Sequence, residues 1–227
     1  MQLLSRQLSV VQHQEVAPGV IEIICKQEHA LNFKPGQYVN VSLDQLRYPD
    51  PKGKTRTFNL VSSPNNSEYL GFSFLKSNSG FKKTLTEIQL NTKIEIKGPF
   101  GIFTLPENSS KPVVFIADGI GITPCVSIAL YAAEKKLPHK ITVLYTSQKT
   151  FPYLESLQEI QKENPNFTIQ AKSGPIDSSF IKKHVKNIKE SKWFVSGTAK
   201  SASHIIKTIS QLGVSEKDIQ TEEFSGY

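Results

Sequence analysis

Cysteine is scarce in this chain. Cys25 and Cys125 are the only two among 227 residues, with no CxxC pair and no Cys/His cluster. That argues against a zinc site or a cysteine-ligated iron–sulfur cluster within the chain. Two lone thiols fit a reducing compartment. Long apolar runs are missing too. The best candidate, Val113 to Ala133, is interrupted by Asp118, two glycines and Pro124, and makes a poor membrane span. The amino terminus, MQLLSRQLSVVQHQEV, is too polar for a signal peptide. The expectation is a cytoplasmic protein without membrane insertion. The five histidines (His13, His29, His139, His184, His204) show no catalytic or metal-ligand spacing, so they read as structural or surface residues and no metal site is expected. Acidic residues are in deficit, 20 Asp+Glu against 27 Lys+Arg, leaving a net charge of +7. Lysine pairs such as Lys82-Lys83, Lys135-Lys136 and Lys182-Lys183 read either as solvated helix faces or as a field that attracts anions. No basic-aromatic RNA motif or recognition helix is present, so nucleic acid is not expected as a partner.

What is present divides in two. The first half reads as short strands: LLSRQLSVVQHQEV, GVIEIICKQ, the stretch after the Pro-Gly turn of FKPGQYVNVSL, RTFNLVSS, YLGFSFLKS and KIEIKGPFGIFTL. PNNSE between RTFNLVSS and YLGFSFLKS predicts a hairpin. SGFKKTLTEI has Phe81, Leu85 and Ile88 on one helical face. Several strands with one helix predict a small antiparallel barrel. After the loop-rich PENSSKP, strand and helix alternate, beginning with the apolar run PVVFIAD and closing with a helix that ends at Gly213. This predicts an α/β domain with a parallel sheet covered on both faces, its ligands at the carboxyl ends of the strands.

Four stretches carry candidate chemistry. In FIADGIGITPC a buried strand turns at Gly119 and Gly121 into a helix with Pro124 in its first turn. Glycines let backbone N–H groups approach an anion, and the helix presents its positive end. A ligand-free tight turn would look the same, and GxGxxP does not meet the usual dinucleotide fingerprint. In TRTFNLVSSP, Arg56, Phe58 and Leu60 share one strand face, and Thr57 and Asn59 the other. Arg56 can pair with a phosphate, Phe58 can stack on a flat ring, and Asn59 can bond a heterocycle edge. The bland alternative puts Phe58 in the barrel core and Arg56 at its rim. SGFKKTL offers Ser79 as a helix cap with Lys82 nearby, or simply a routine capped helix. TEEFSGY either frays or folds back over a planar ligand.

The order FKPGQY, RTFNLVSS, SGFKKTL, GPFGIF, IADGIGITP, VSGTAK, EEFSGY resembles the ferredoxin–NADP reductase superfamily, in particular its short two-domain FAD- and NAD(P)-binding oxidoreductases. The resemblance runs from about Leu3 to Tyr227. It implies an FAD-binding β-barrel over 1–108 and an NAD(P)-binding α/β domain over 109–227. Arg56 would bind the flavin pyrophosphate, Phe58 would stack on the ring system, and Asn59 would bond near the hydride-accepting nitrogen, with Thr57 between them. Ser79, Gly80, Phe81 and Lys82 would cradle the flavin phosphates. Gly119, Gly121, Thr123 and Pro124 would form the nicotinamide-nucleotide loop, and Ser196 and Gly197 the turn beside the nicotinamide. Glu222, Phe224 and Tyr227 would lie near the flavin. Asn59, Ser196, Glu222 and Phe224 form the implied catalytic set.

The implied reaction is hydride transfer from NADPH or NADH to FAD, followed by release of single electrons to a separate carrier. A ferredoxin, flavodoxin, haem protein or oxygenase would serve, and the positive charge favours an acidic one. Ser147, Lys149 and Tyr153 in YTSQKTFPY are candidates for a 2′-phosphate, which leans the choice toward NADPH. The sequence departs from the family pattern at four points: Phe58 for Tyr, Asn59 for Ser or Thr, Asp118 for Gly, and Thr198 for Pro. Asn59 and Asp118 motivate an alternative, a non-catalytic FAD- or nucleotide-binding regulatory module on the same fold.

Overall fold

The computed structural model describes residues 4–224. β1 (Leu4–Ala17) and β2 (Val20–Lys26) form a long hairpin, turned where Pro18 fixes φ and Gly19 takes φ +80°. β3 (Tyr38–Ser42), β4 (Thr55–Asn59), β5 (Tyr69–Leu75) and β6 (Lys93–Phe100) complete an antiparallel sheet in the order β4-β3-β6-β1-β2-β5. The hairpin expected between β4 and β5 does not form. β4 pairs with β3 and β5 with β2, which puts the two at opposite ends of the sheet. The ends meet only beyond β4, where Leu60 bridges Phe72 and the Val61 N–H donates to the Gly71 carbonyl at 2.9 Å. Inside this curl, Phe58, Phe72, Phe74 and Phe81 form an aromatic core. Phe81 and Leu85 come from α1 (Gly80–Thr86) and are fully buried in it.

The second half opens with β7 (Val113–Asp118), whose first five residues are all buried, as its unbroken apolar run predicts. A 3-10 turn over Gly119–Ile122 leads into α2 (Thr123–Glu134). Then come β8 (Ile141–Ser147), α3 (Leu154–Glu163), β9 (Phe167–Ser173), α4 (Ser178–His184), β10 (Lys192–Gly197) and α5 (Ala199–Gln211). β11 (Ile219–Glu223) was not foreseen as a strand; it lies parallel beside β10. The sheet is all parallel, in the order β11-β10-β7-β8-β9. One face packs α2 and α3 together with Val61 and Phe103 from the first half, and the other packs α4 and α5. The strand order reverses between β7 and β10, the usual place for a ligand crevice in such sheets. No described helix is long and apolar enough to cross a membrane.

Candidate functional site

The two halves share a cleft of about 680 Å³. All five residues of β4 line it. Successive residues of a strand point to opposite faces, so a hollow lined by all five runs along the strand's edge. That edge is the one β4 offers to no other strand among the described residues, apart from the Leu60 bridge. The start of α1 and the 49–52 loop also line it, and β11 adds Glu222, with Phe224 just beyond its end, from the α/β half.

Arg56 is pre-set within this cleft. Its guanidinium makes a 2.6 Å ion pair with Asp50, donates to the Lys52, Gly53 and Thr55 carbonyls at 2.7–3.0 Å, and lies 5.1 Å over the Phe81 ring. Asp50 also accepts the Phe81 N–H at 2.9 Å, and that bond holds its carboxyl below the usual range. Lys82 is only 6% exposed. Burial, with the Arg56 and Lys52 charges nearby, lowers its amine to about 8. Cations gathered at one wall repel each other, and a phosphate group would relieve them. The residues therefore suit the diphosphate of a flavin nucleotide. Ser79 caps α1 by accepting the Lys82 N–H at 3.1 Å. The smallness of Gly80 serves packing, because a Cβ there would sit 2.2 Å from the Pro49 carbonyl oxygen.

The remaining residues fall into three groups. Asn59 lines the cleft while donating to the Gly36 carbonyl at 3.2 Å, and exposed Thr57 bonds Asn40. The stacking face expected of Phe58 is not offered. The ring is 4% exposed, with the Phe72 and Phe81 rings lying nearly parallel to it at 5.1 and 6.2 Å. An aromatic at this point in the strand closes the barrel core instead. Glu222 is half-buried, which raises its carboxyl above the usual range. Phe224 donates its N–H to the Gly197 carbonyl at 2.9 Å, which ties the end of β11 to the end of β10. Tyr227 lies outside the described residues.

At the reversal point, Gly119 has φ +56° and open space where a Cβ would be, so its backbone is approachable. Gly121 is different: a Cβ would lie 2.5 Å from the Ser196 carbonyl oxygen, so it packs the turn onto β10. Thr123 turns its hydroxyl back to the Ile120 carbonyl at 3.0 Å, and Pro124 is buried in the first turn of α2. Asp118 abuts Gly197. Ser196 is fully buried, its hydroxyl beside the Cys125 thiol rather than turned to the cleft, against the expectation that it serves the nicotinamide directly. The proposed 2′-phosphate group also comes apart. Ser147 is buried in β8 and Lys149 is exposed. Tyr153 reaches the outer face of the barrel sheet, where it donates to Glu22 at 2.6 Å and bonds Ser73. A larger hollow, about 960 Å³, lies between the β1–β2 hairpin and α2–α3 and shares no lining residue with the cleft.

Residues 7–105 match the family model of an oxidoreductase FAD-binding domain, and 115–204 that of an oxidoreductase NAD-binding domain. The chain belongs to the ferredoxin–NADP reductase superfamily. Among curated relatives of this superfamily member, phenol hydroxylase P5 protein of Acinetobacter pittii is 26% identical over 96% of the chain and 65% of its own length. A flavohemoprotein of Bacillus subtilis is 24% identical over 85% of the chain and 51% of its own length. The reductase component of propane 2-monooxygenase from Rhodococcus jostii is 28% identical over 61% of the chain and 37% of its own length. The chain thus spans between about a third and two thirds of these relatives. The fold is shared with the FAD/NAD-binding domain of a Vibrio cholerae nitric oxide dioxygenase, with TM-score 0.83 and 17% identity over 96% of this chain and 98% of that one. It is shared also with a Neisseria gonorrhoeae ferredoxin NADP+ reductase solved with FAD and NADP, with TM-score 0.79 and 15% identity over 96% of this chain and 98% of that one.

Asp50, Tyr38 and the Glu22–Tyr153 pair were missed from the sequence. Asp50 and Tyr38 belong to the cleft or its wiring only through three-dimensional proximity. No spacing rule could have found them.

Proposed function

We propose that the chain is the reductase unit of an electron-transfer system. It takes reducing equivalents from NAD(P)H and hands single electrons to a separate carrier protein. The observation that carries this reading is the cleft along β4 built from both halves, with Arg56, Asn59 and Lys82 on one side and Glu222 and Phe224 on the other. Flavin, once bound, supplies hydride acceptance and one-electron release; that chemistry is the cofactor's own. The protein's part is to bind and orient. Arg56 and Lys82 hold the phosphates, and Asp50 keeps Arg56 aimed. Asn59 bonds the ring edge. Phe224 screens the ring from water, and Glu222 keeps a carboxyl near it whose charge burial disfavours. The turn at Gly119 and the start of α2 receive the dinucleotide phosphates. With Tyr153 turned away, only Lys149 of the proposed 2′-phosphate group is exposed, which removes the lean toward NADPH. The carrier is external to the described fold, and the relatives named as monooxygenase reductase components support an oxygenase-type acceptor. The net charge of +7 favours an acidic surface on it.

The test is a visible spectrum of the purified protein, before and after anaerobic addition of NADPH and then NADH. Flavin bands that bleach with one nucleotide support the reductase and name its donor. A second reading, a regulatory flavin-binding module, is favoured by the acidic side chain of Asp118 packed at the nucleotide turn. Bands that persist with both nucleotides would select it.

A further inference from the structure

Tyr153 stands at the start of α3 with φ 63° and ψ 4°, a left-handed conformation that a bulky residue seldom adopts. From there its hydroxyl crosses to the barrel and meets two strands. It donates to Glu22 of β2 at 2.6 Å and bonds Ser73 of β5. Glu22 is held in turn by the Gln14 side-chain amide of β1 at 2.9 Å. Glu22 and Ser73 are both buried. Burial, with the Glu22 charge beside it, raises the Tyr153 hydroxyl, which therefore keeps its proton to donate.

Of the other polar ties between the halves, one joins His139 to the Pro106 carbonyl at 2.9 Å, next to the connecting loop, and the rest run along α2. Ser127 donates to the Ser62 carbonyl at 2.7 Å, and Glu134 accepts from Ser63 at 2.5 Å and from Asn65 at 2.6 Å. Two anchors seven residues apart on one helix span about 10 Å. They define a line; rotation about it is resisted by the packing of Val61 and Phe103 and, farther from the line, by the Tyr153–Glu22 bond. The sheet order puts the β8–α3 connection, with Tyr153, on one side of β7, and β11, with Glu222 and Phe224, on the other. The α/β half therefore lies across the α2 line like a beam. Any lift of Tyr153 from Glu22 tips the β11 end relative to the cleft.

We propose that Tyr153 is a positioning residue, a strut between the halves that sets how far β11 carries Glu222 and Phe224 into the cleft. The proposal rests on the reductase reading for its kinetic consequence and on the hydrogen-bonded geometry alone for its structural one. Hydride transfer needs near contact, and a misplacement of about 1 Å can lower a rate about 100-fold. The strut makes no direct hydrogen bond to the nucleotide turn; Tyr145 joins them at one remove, its hydroxyl 3.2 Å from the Gly119 carbonyl and 3.3 Å from the Pro152 carbonyl, so transfer should suffer more than binding.

The experiment compares wild type, Tyr153→Phe and Glu22→Gln, which keeps an acceptor for the Tyr153 hydroxyl. Hydrogen–deuterium exchange is followed in residues 219–224 and in the barrel core, and flavin bleaching is followed by stopped flow over a range of NAD(P)H concentrations. Tyr153→Phe is expected to speed exchange at 219–224 at least threefold with the barrel core unchanged. It should slow bleaching at saturating nucleotide at least tenfold, while the half-saturating concentration moves less than threefold. Glu22→Gln should stay close to wild type in both. Unchanged exchange at 219–224 in Tyr153→Phe overturns the strut. So does a change spread evenly over the barrel core, which would mark plain destabilisation. If wild type is not bleached at all, the reductase reading fails, and the exchange comparison still decides the strut.

Discussion

At the scale of single residues, Lys82 ties structure to pH most directly. Burial first, then Arg56 and Lys52, lower its amine from the ordinary 10.5 to about 8. Between these values the unfolded chain binds the extra proton, so the ligand-free protein gains stability as pH rises from about 8 to about 10.5. Below 8 the burial of the cation costs on the order of 3 kcal/mol. A phosphate beside Lys82 favours the charged form, so affinity for FAD should weaken as pH climbs past 8, by tenfold per unit at most. Titration of flavin fluorescence at pH 7 and 9.5 checks this. Lys82→Met should bind more weakly at pH 7 and lose the pH dependence; a flat profile in wild type would remove Lys82 from phosphate binding. The side chains the sequence flagged were read for type and not for direction. Arg56 was legible because a forked cation at a strand start has few structural uses. The burial of Ser196 was not, since only the packing of α2 against β10 turns its hydroxyl to Cys125. Gly119 and Gly121 look alike in sequence, and only the nearness of the Ser196 carbonyl tells the packing glycine from the open one.

At the scale of elements, the alternation of strand and helix in the second half was legible because β7 is an unbroken apolar run and β8 and β10 carry shorter ones. The β4–β5 pairing was misjudged because a local turn signal says nothing about which strand is nearer in space. β4 found β3, and its own chain neighbour met it at one bridge. β11 was missed because IQTEE is polar, and an edge strand with a half-exposed pattern carries little hydrophobic signal. The place of Phe58 in the barrel core leads to a second expectation. Phe58→Ala should cost about 3–5 kcal/mol through the cavity it leaves. Phe58→Leu should cost about 1 kcal/mol and leave the position of the visible flavin bands unchanged. Urea unfolding and the absorption spectrum check both. A shifted spectrum in Phe58→Leu would return the ring to the cofactor.

At the scale of the molecule, the excess of 27 basic over 20 acidic residues acts at a distance. Electron delivery to an acidic ferredoxin should fall several-fold as ionic strength rises from roughly 0.01 M to roughly 0.15 M, where the screening length shortens from about 30 Å to about 8 Å. Reduction of an uncharged quinone should not change, and stopped-flow rates for the two acceptors decide it. Equal salt dependence would place the effect in the enzyme's own cleft.

The cleft runs along the edge of β4 that no other strand among the described residues pairs with, and this also bears on solubility. An uncovered strand edge is a template for a strand from another molecule. β4 limits the hazard by being five residues long and by opening on a charged pair, Arg56 and Asp50. A bound flavin nucleotide would cover the rest. The protein emptied of its ligand is then the form most exposed to edge-to-edge aggregation, and the cell's flavin supply would govern how much of the chain stays in solution as well as how much of it is active.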